Sequence, residues 1–203
     1  NHKAYADFIS APAKDRLAVF GETANRLGTP VGNIEKDFWV CWTLDALYNR
    51  LADDNPRMLF KGGTSLSKAR VERFSEDIDV TVFRDDLDQA ASIAELEALS
   101  GNKRKDRLDA IRDACRDYIT GPLRDQLAGL LSEVTAGAGR IEVDEADPDG
   151  QTLLLDPEVE PRDAADDGSV VRIAAVAVQF GKVRENTLQI IQRIWPLWMT
   201  RHL

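Results

Sequence analysis

Histidine is nearly absent from this chain. Its two histidines, His2 and His202, stand at the extreme ends of 203 residues. That argues against imidazole general bases, Ser-His-Asp triads and histidine-rich metal sites. Cysteine is equally scarce. Cys41 and Cys115 each fall on the apolar side of a predicted helix and read as small core hydrophobes. Two cysteines are too few for a disulfide framework or a zinc site, and such a chain suits a reducing cytoplasm. No apolar run approaches the roughly 18 residues that a membrane span needs, and the polar N-terminus shows no signal peptide. Net positive charge is also missing: 26 Lys and Arg against 35 Asp and Glu leave −9. This argues against a protein that coats nucleic acid nonspecifically, although a local basic patch exists at Lys103, Arg104, Lys105 and Arg107. Chemistry, if any, must therefore rest on carboxylates, lysine or hydroxyls.

What is present reads as an ordinary globular protein, 43% hydrophobic and 30% charged, with enough length for a core that folds alone. Leu17, Phe20, Ala24 and Leu27 give helical spacing over about 12–27, and Gly28 is a fitting C-terminal stop. Asn33 is placed to cap a second helix over about 34–51, whose stripe is Ile34, Phe38, Cys41, Leu44, Tyr48 and Leu51, flanked by Trp39 and Trp42. Met58 to Phe60 reads as a short strand, Ser65 to about Arg73 as a short helix, and 77–83 as a half-buried strand by its alternation. A helical segment spans 92–134, as 92–99 and 103–134, kinked near Gly121-Pro122. Strands are expected at 140–145 and 151–155, joined by the turn Asp147-Pro148-Asp149-Gly150, and a buried strand at Val170 to Phe180. The acidic stretch 156–168 reads as an exposed loop, and the apolar residues from Ile190 to Trp198 need a partner surface. The expectation is one α+β domain over 1–203, truncated or divergent after about 155.

One ordered set of residues carries chemistry. A strand ends in Lys61-Gly62-Gly63-Thr64-Ser65, a short helix follows, and the next strand bears Asp77 and Asp79. Neither an Asp-x-Asp nor a Gly-Gly pair means much alone, since Asp86/Asp88 and Asp147/Asp149 match the first pattern too. The order is what counts. Gly62 and Gly63 lack Cβ, so their backbone N–H groups can approach phosphate oxygens closely. The following helix offers its positive dipole end, and Thr64 and Ser65 add hydroxyl donors. Asp77 and Asp79 project to one face about 7 Å apart along the strand. Such a pair can ligate Mg²⁺ or Mn²⁺ around a triphosphate, with Lys61 and Arg73 placed to neutralise phosphate charge. A Walker P-loop is not present, because Ser67 occupies the second glycine position.

These residues, with Asn33-Ile34-Glu35-Lys36-Asp37-Phe38-Trp39-Val40, Phe60 to Ala69 and Arg73-Phe74-Ser75-Glu76-Asp77-Ile78-Asp79, resemble the AbiEii/AbiGii nucleotidyltransferase toxin family over about 5–155. The resemblance implies a DNA-polymerase-β-like core, a mixed sheet flanked by helices, together with a helical region. It implies transfer of a nucleotide from an NTP to RNA, in some members to tRNA 3′ ends, in bacterial toxin–antitoxin or abortive infection systems, hence a cognate antitoxin. Carried over by motif, Gly63, Thr64 and Ser65 cradle phosphate, and Ser75, Asp77 and Asp79 form the metal and nucleotide site. The chain departs from the family pattern in its distal half. Arg172 is the nearest match to an expected lysine-bearing strand, and Ala174 stands where an acid is expected. A third catalytic carboxylate is unassigned; Glu142 and Asp144 alternate suitably, but a solvated hairpin face is the simpler reading. Two alternatives stay open. One is transfer to a small molecule, which the acidic charge favours. The other is an inactive remnant that binds nucleotide or antitoxin only.

Overall fold

The computed structural model describes residues 2–61, 77–158 and 170–178. The segments on which Gly62, Gly63, Thr64, Ser65, Arg73, Ser75 and the apolar C-terminal stretch fall lie outside the described residues, as does the predicted helix from Ser65.

Three helices come first: α1 (His2–Ile9), α2 (Ala13–Leu27) and α3 (Val31–Asn49). Helical spacing in the sequence is read only from about residue 12, so the first was not among the predicted elements. It forms because Tyr5 and Ile9 are buried and Phe8 packs against them in the core, so one apolar face suffices to dock a short helix. Helix α2 ends where predicted, on Gly28 in the left-handed region at φ 65°. Helix α3 begins earlier than the Asn33 cap predicted. Pro30, at φ −58°, already has the backbone that a helix start needs, and the Asn33 N–H donates to the Pro30 carbonyl inside the first turn. Glu35 and Asp37 therefore lie past the first turn, which holds no acid, and Asp37 is buried. Nor is α3 a one-sided amphipathic helix: Trp39 and Trp42 are fully buried beside the predicted stripe, as in a helix at the centre of a domain. Phe38 joins the rings of Tyr5, Phe8, Phe20 and Trp39 at centroid distances of 5.0–5.8 Å.

The strands follow: β1 (Met58–Lys61), β2 (Asp77–Phe83), β3 (Arg140–Val143), β4 (Thr152–Asp156) and β5 (Val171–Val178). Among the described residues they form one five-stranded mixed sheet in the order β1-β2-β5-β4-β3. Only β2 and β5 run parallel. A parallel pair requires a long crossover, and here it contains α4 (Ile93–Ala98), α5 (Gly101–Tyr118), α6 (Arg124–Val134) and the β3–β4 hairpin. Ser92 and Glu95 close a reciprocal capping box on α4. The kink expected at Gly121-Pro122 is a π-helical turn over Ile119–Leu123, in which the Arg124 N–H reaches back to the Ile119 carbonyl. Pro122 has no N–H to continue the α-helical ladder, and the widened turn keeps Ile119 and Leu123 both fully buried.

One face of the sheet is apolar. Ile78, Val80, Val82, Ile141, Leu153, Leu155, Ile173 and Ala175 join the same buried core as α3, α5 and α6. Cys41 and Cys115 belong to that core and form no disulfide. Burial pushes the Cys41 thiol up to about 12, which keeps it protonated and unreactive at neutral pH. This is the mixed α+β fold, a sheet flanked by helices, that the sequence predicted. No described helix is long and apolar enough to cross a membrane.

Candidate active site

The sheet's other face carries the carboxylates. Side chains alternate along a strand, and register partners on neighbouring strands share a face. Asp79 lies in one row with Lys61 of β1, Ala174 of β5 and Thr152 of β4. A backbone bond from the Asp144 N–H to the Thr152 carbonyl extends that row past the end of β3. Asp77 lies in the adjacent row with Arg172 of β5, Leu154 of β4 and Glu142 of β3. Asp77 is exposed, Asp79 half-buried, and Ile78 and Val80 between and beyond them point into the core. The predicted alternation of β2 is what the structure shows, except that Thr81, expected on the polar face, is fully buried there.

The backbone of β1 reaches its end at Lys61, the register partner of Asp79. The described part of β1 thus ends level with Asp79. Strand β1 is fixed in that place by Arg57, whose guanidinium makes two hydrogen bonds to Asp86, at 2.7 and 2.8 Å. Hydrogen bonding from Arg57 holds the Asp86 carboxyl below its ordinary range. Asn55, in the turn before β1, is tied to Gln126 and to the Tyr118 hydroxyl.

Among the described side chains, Arg172 is the cation that reaches the acidic rows near Asp77. Its Nε lies 4.0 Å from Asp77 Oδ1, at the outer edge of ion-pair contact, and its Nη1 lies 2.9 Å from Asp144 Oδ2. The Asp144 side chain is 6% exposed and that of Arg172 50%. Asp144 Oδ2 makes no hydrogen bond of good geometry despite that short distance, so the contact is ionic rather than a directed N–H···O bond. The solvated-hairpin reading of Glu142 and Asp144 thus divides: Glu142 is exposed, whereas Asp144 is buried and paired. Alternation along β3 revealed the face but not the strand order that brings Arg172 to Asp144.

The β3–β4 turn closes this end of the face. Asp147 accepts from the Asp149 and Gln151 N–H groups and from the Thr152 hydroxyl. Burial opposes ionisation of Asp147, but those hydrogen bonds and the field of Arg172 outweigh it and hold its pKa below the ordinary 3.8. A carboxyl whose folded pKa is depressed contributes stability above its unfolded value, and the contribution is lost as pH falls through the folded one. Asp147→Ala is expected to cost about 1–3 kcal/mol at neutral pH, measured by urea unfolding, and the cost should shrink below pH 3.8. A cost that does not change with pH would contradict this account.

The basic run is largely committed elsewhere. Arg104 donates to the carbonyls of Leu96, Glu97 and Leu99, and Arg107 to Gln89 Oε1 and the Ala90 carbonyl. These bonds close the end of α4 and the segment before it. Lys103 and Lys105 are exposed.

Residues 45–174 match the family model for the nucleotidyl transferase AbiEii toxin of Type IV toxin–antitoxin systems. The chain belongs to the AbiEii family. The matched span begins within α3, takes in the acidic strand and ends at Ala174, so it covers the whole row from Lys61 to Asp144 described above. AbiEii proteins are nucleotidyltransferases that act as toxins, and membership in a Type IV system implies an antitoxin partner. The five-stranded mixed sheet with flanking helices accords with a nucleotidyltransferase fold. No curated protein and no solved structure matches the chain.

Proposed function

We propose that this AbiEii-family protein transfers a nucleotide from an NTP to RNA, with a tRNA 3′ end as acceptor, using divalent metal held by Asp77 and Asp79. One observation carries the site: the two acidic side chains stand on the open face of a strand whose other face is core, beside the end of β1. A carboxylate in a half-buried position costs desolvation energy unless a cation compensates it. Asp79 has no cationic partner among the described residues, and hard oxygen donors of this kind suit Mg²⁺ or Mn²⁺. The pair therefore fits a divalent cation, which when bound would offset charge on the triphosphate and lower the pKa of the attacking hydroxyl. In the reaction the acceptor hydroxyl oxygen bonds to the α-phosphorus and the bond to pyrophosphate breaks. Pyrophosphate leaves with the electron pair, and the hydroxyl proton passes to water.

The phosphate cradle is assigned by motif to Gly62, Gly63, Thr64 and Ser65, with Lys61, Arg73 and Ser75 completing the nucleotide site. The tRNA acceptor and the cytoplasmic setting come from the family resemblance. Transfer to a small molecule is the second reading, favoured by the charge of −9 and by the use of Arg104 and Arg107 as carbonyl caps.

The test is to incubate the protein with each α-³²P NTP, Mg²⁺ and total tRNA beside the Asp77→Ala/Asp79→Ala variant. Label on tRNA that disappears in the variant is the expected result. Label only on an added small-molecule acceptor would replace this reading with the second. Transfer to neither would leave a binding remnant.

A further inference from the structure

We propose that Asp144 is a positioning residue for nucleotide transfer: its buried carboxylate holds the Arg172 guanidinium on the open face of the sheet beside Asp77, where that guanidinium binds an oxygen of the incoming triphosphate. The inference rests on the nucleotidyltransferase reading and adds to it one residue of β5 and one at the end of β3. Strand order makes the arrangement. Arg172 of β5 is the register partner of Asp77 on β2 and of Leu154 on β4. Asp144 follows the last residue of β3, and its N–H donates to the Thr152 carbonyl of β4. Arg172 therefore has Asp77 on one side and Asp144 on the other. Its Nε lies 4.0 Å from Asp77 Oδ1 and its Nη1 2.9 Å from Asp144 Oδ2.

The two carboxylates differ in their hold on the arginine. The Asp77 side chain is 59% exposed and that of Asp144 6%. Water screens an ion pair with an exposed carboxylate, which is worth little, whereas a buried carboxylate without a cation is strongly unfavourable. Asp144 therefore sets where the guanidinium stands. Asp144 is itself fixed. Its Oδ1 accepts from the Ala146 N–H at 3.0 Å, and its carbonyl accepts from the Asp147 N–H. Oδ2 is the oxygen at Arg172. Arg172, 50% exposed at its side chain, is open to a ligand on this face. The planar fork of a guanidinium can engage one acceptor through Nη1 and present Nε to a second, so phosphate oxygens arriving at Asp77 come within its reach. Acids alone would repel a triphosphate. An arginine held beside them offsets that charge without rearranging during the reaction.

The experiment measures binding of inorganic tripolyphosphate, with Mg²⁺, to the full chain by calorimetry, with thermal melts as a fold check. Arg172→Gln is expected to raise the Kd about tenfold or more, the range of a hydrogen bond between charged groups. Asp144→Asn keeps an acceptor for the Ala146 N–H but loses the charge. It should raise the Kd about threefold or more, because the guanidinium is then free to turn to Asp77. The two losses should not combine: Arg172→Gln/Asp144→Asn should bind within about twofold of Arg172→Gln, since Asp144 acts through Arg172. A merely structural role would lower the melting temperature and leave these Kd values where they were. Should either single variant fail to fold, Arg172→Lys keeps the buried pair without the fork, and the double variant leaves no unpaired buried charge. Each should then bind the probe about tenfold more weakly than wild type. Affinity unchanged on loss of Arg172 would overturn the phosphate contact. Losses that multiply in the double variant would overturn the positioning role of Asp144. A wild-type chain that transfers label from α-³²P NTP yet binds no tripolyphosphate at millimolar concentration would overturn the inference and leave the nucleotidyltransferase reading standing. With neither transfer nor binding, both fall.

Discussion

Asp79→Asn is expected to lower nucleotide transfer at least about a thousandfold while leaving the midpoint of thermal unfolding nearly unchanged. The two effects come from one cause. Asn keeps the shape and loses the charge. On the catalytic side, the lost carboxylate is a ligand whose charge is needed where the triphosphate and the cation meet, a contribution of several kcal/mol; about 4 kcal/mol is a thousandfold in rate. On the stability side, Asp79 is half-buried with no cationic partner among the described residues. Asn keeps the side-chain volume and breaks no ion pair among the described residues, so the apoprotein loses little by the change. Activity is read with α-labelled NTP at saturating acceptor, and stability by calorimetry without metal. Transfer within tenfold of wild type would remove Asp79 from the site. A fall in melting temperature would show instead that Asp79 has a structural partner.

Neighbouring acids should behave differently, for reasons the row geometry supplies. Asp77 is 59% exposed at its side chain, so solvent screens its interactions and its replacement should cost little stability. Asp144 is buried against Arg172. Its neutralisation leaves a guanidinium without its near partner and removes a compensated buried charge, which typically costs more than an exposed pair is worth. Asp77, Asp79 and Asp144 thus divide by burial and by distance to Arg172.

Much of this was legible from local pattern. Alternation alone placed Ile78 and Val80 inward and Asp77 and Asp79 outward, because a strand has period two whatever surrounds it. Gly28 ended α2 because a left-handed terminus selects glycine. The turn at Asp147 to Gly150 joined its two strands for the same local reason. Errors arose where tertiary structure overrode local signals. Asn33 looked like a cap, but Pro30 set the start of α3. No helix was predicted before about residue 12, yet Tyr5 and Ile9 found a core made by residues far along the chain. Thr81 followed the alternation and was nevertheless buried. Above all, the order β1-β2-β5-β4-β3 has no signature in any single segment. It alone puts Arg172 between Asp77 and Asp144, so the sequence could offer Arg172 as a match to the family's lysine-bearing strand but not its pairing with Asp144.

Phe38→Ala is expected to cost about 3–5 kcal/mol, the range for removing a fully buried aromatic ring. Phe38 is 3% exposed and contacts rings on three helices: Tyr5 and Phe8 of α1, Phe20 of α2 and Trp39 of α3. Such edge and tilted ring contacts add about 0.5–1.5 kcal/mol each beyond buried area. Removing the ring also leaves a cavity where α1 and α2 meet α3, and short α1 has little else to hold it in place. Amides of α1 should therefore lose hydrogen-exchange protection before those of the sheet. Phe38→Leu fills most of the space and should cost less than half as much, which separates volume from ring geometry. The site strand β2 pairs with β1 and β5, so the surviving folded fraction should keep its Mn²⁺ affinity. Equal loss of protection in α1 and β2 would show that the aromatic cluster and the sheet unfold as one unit, and the separation drawn here between them would fail.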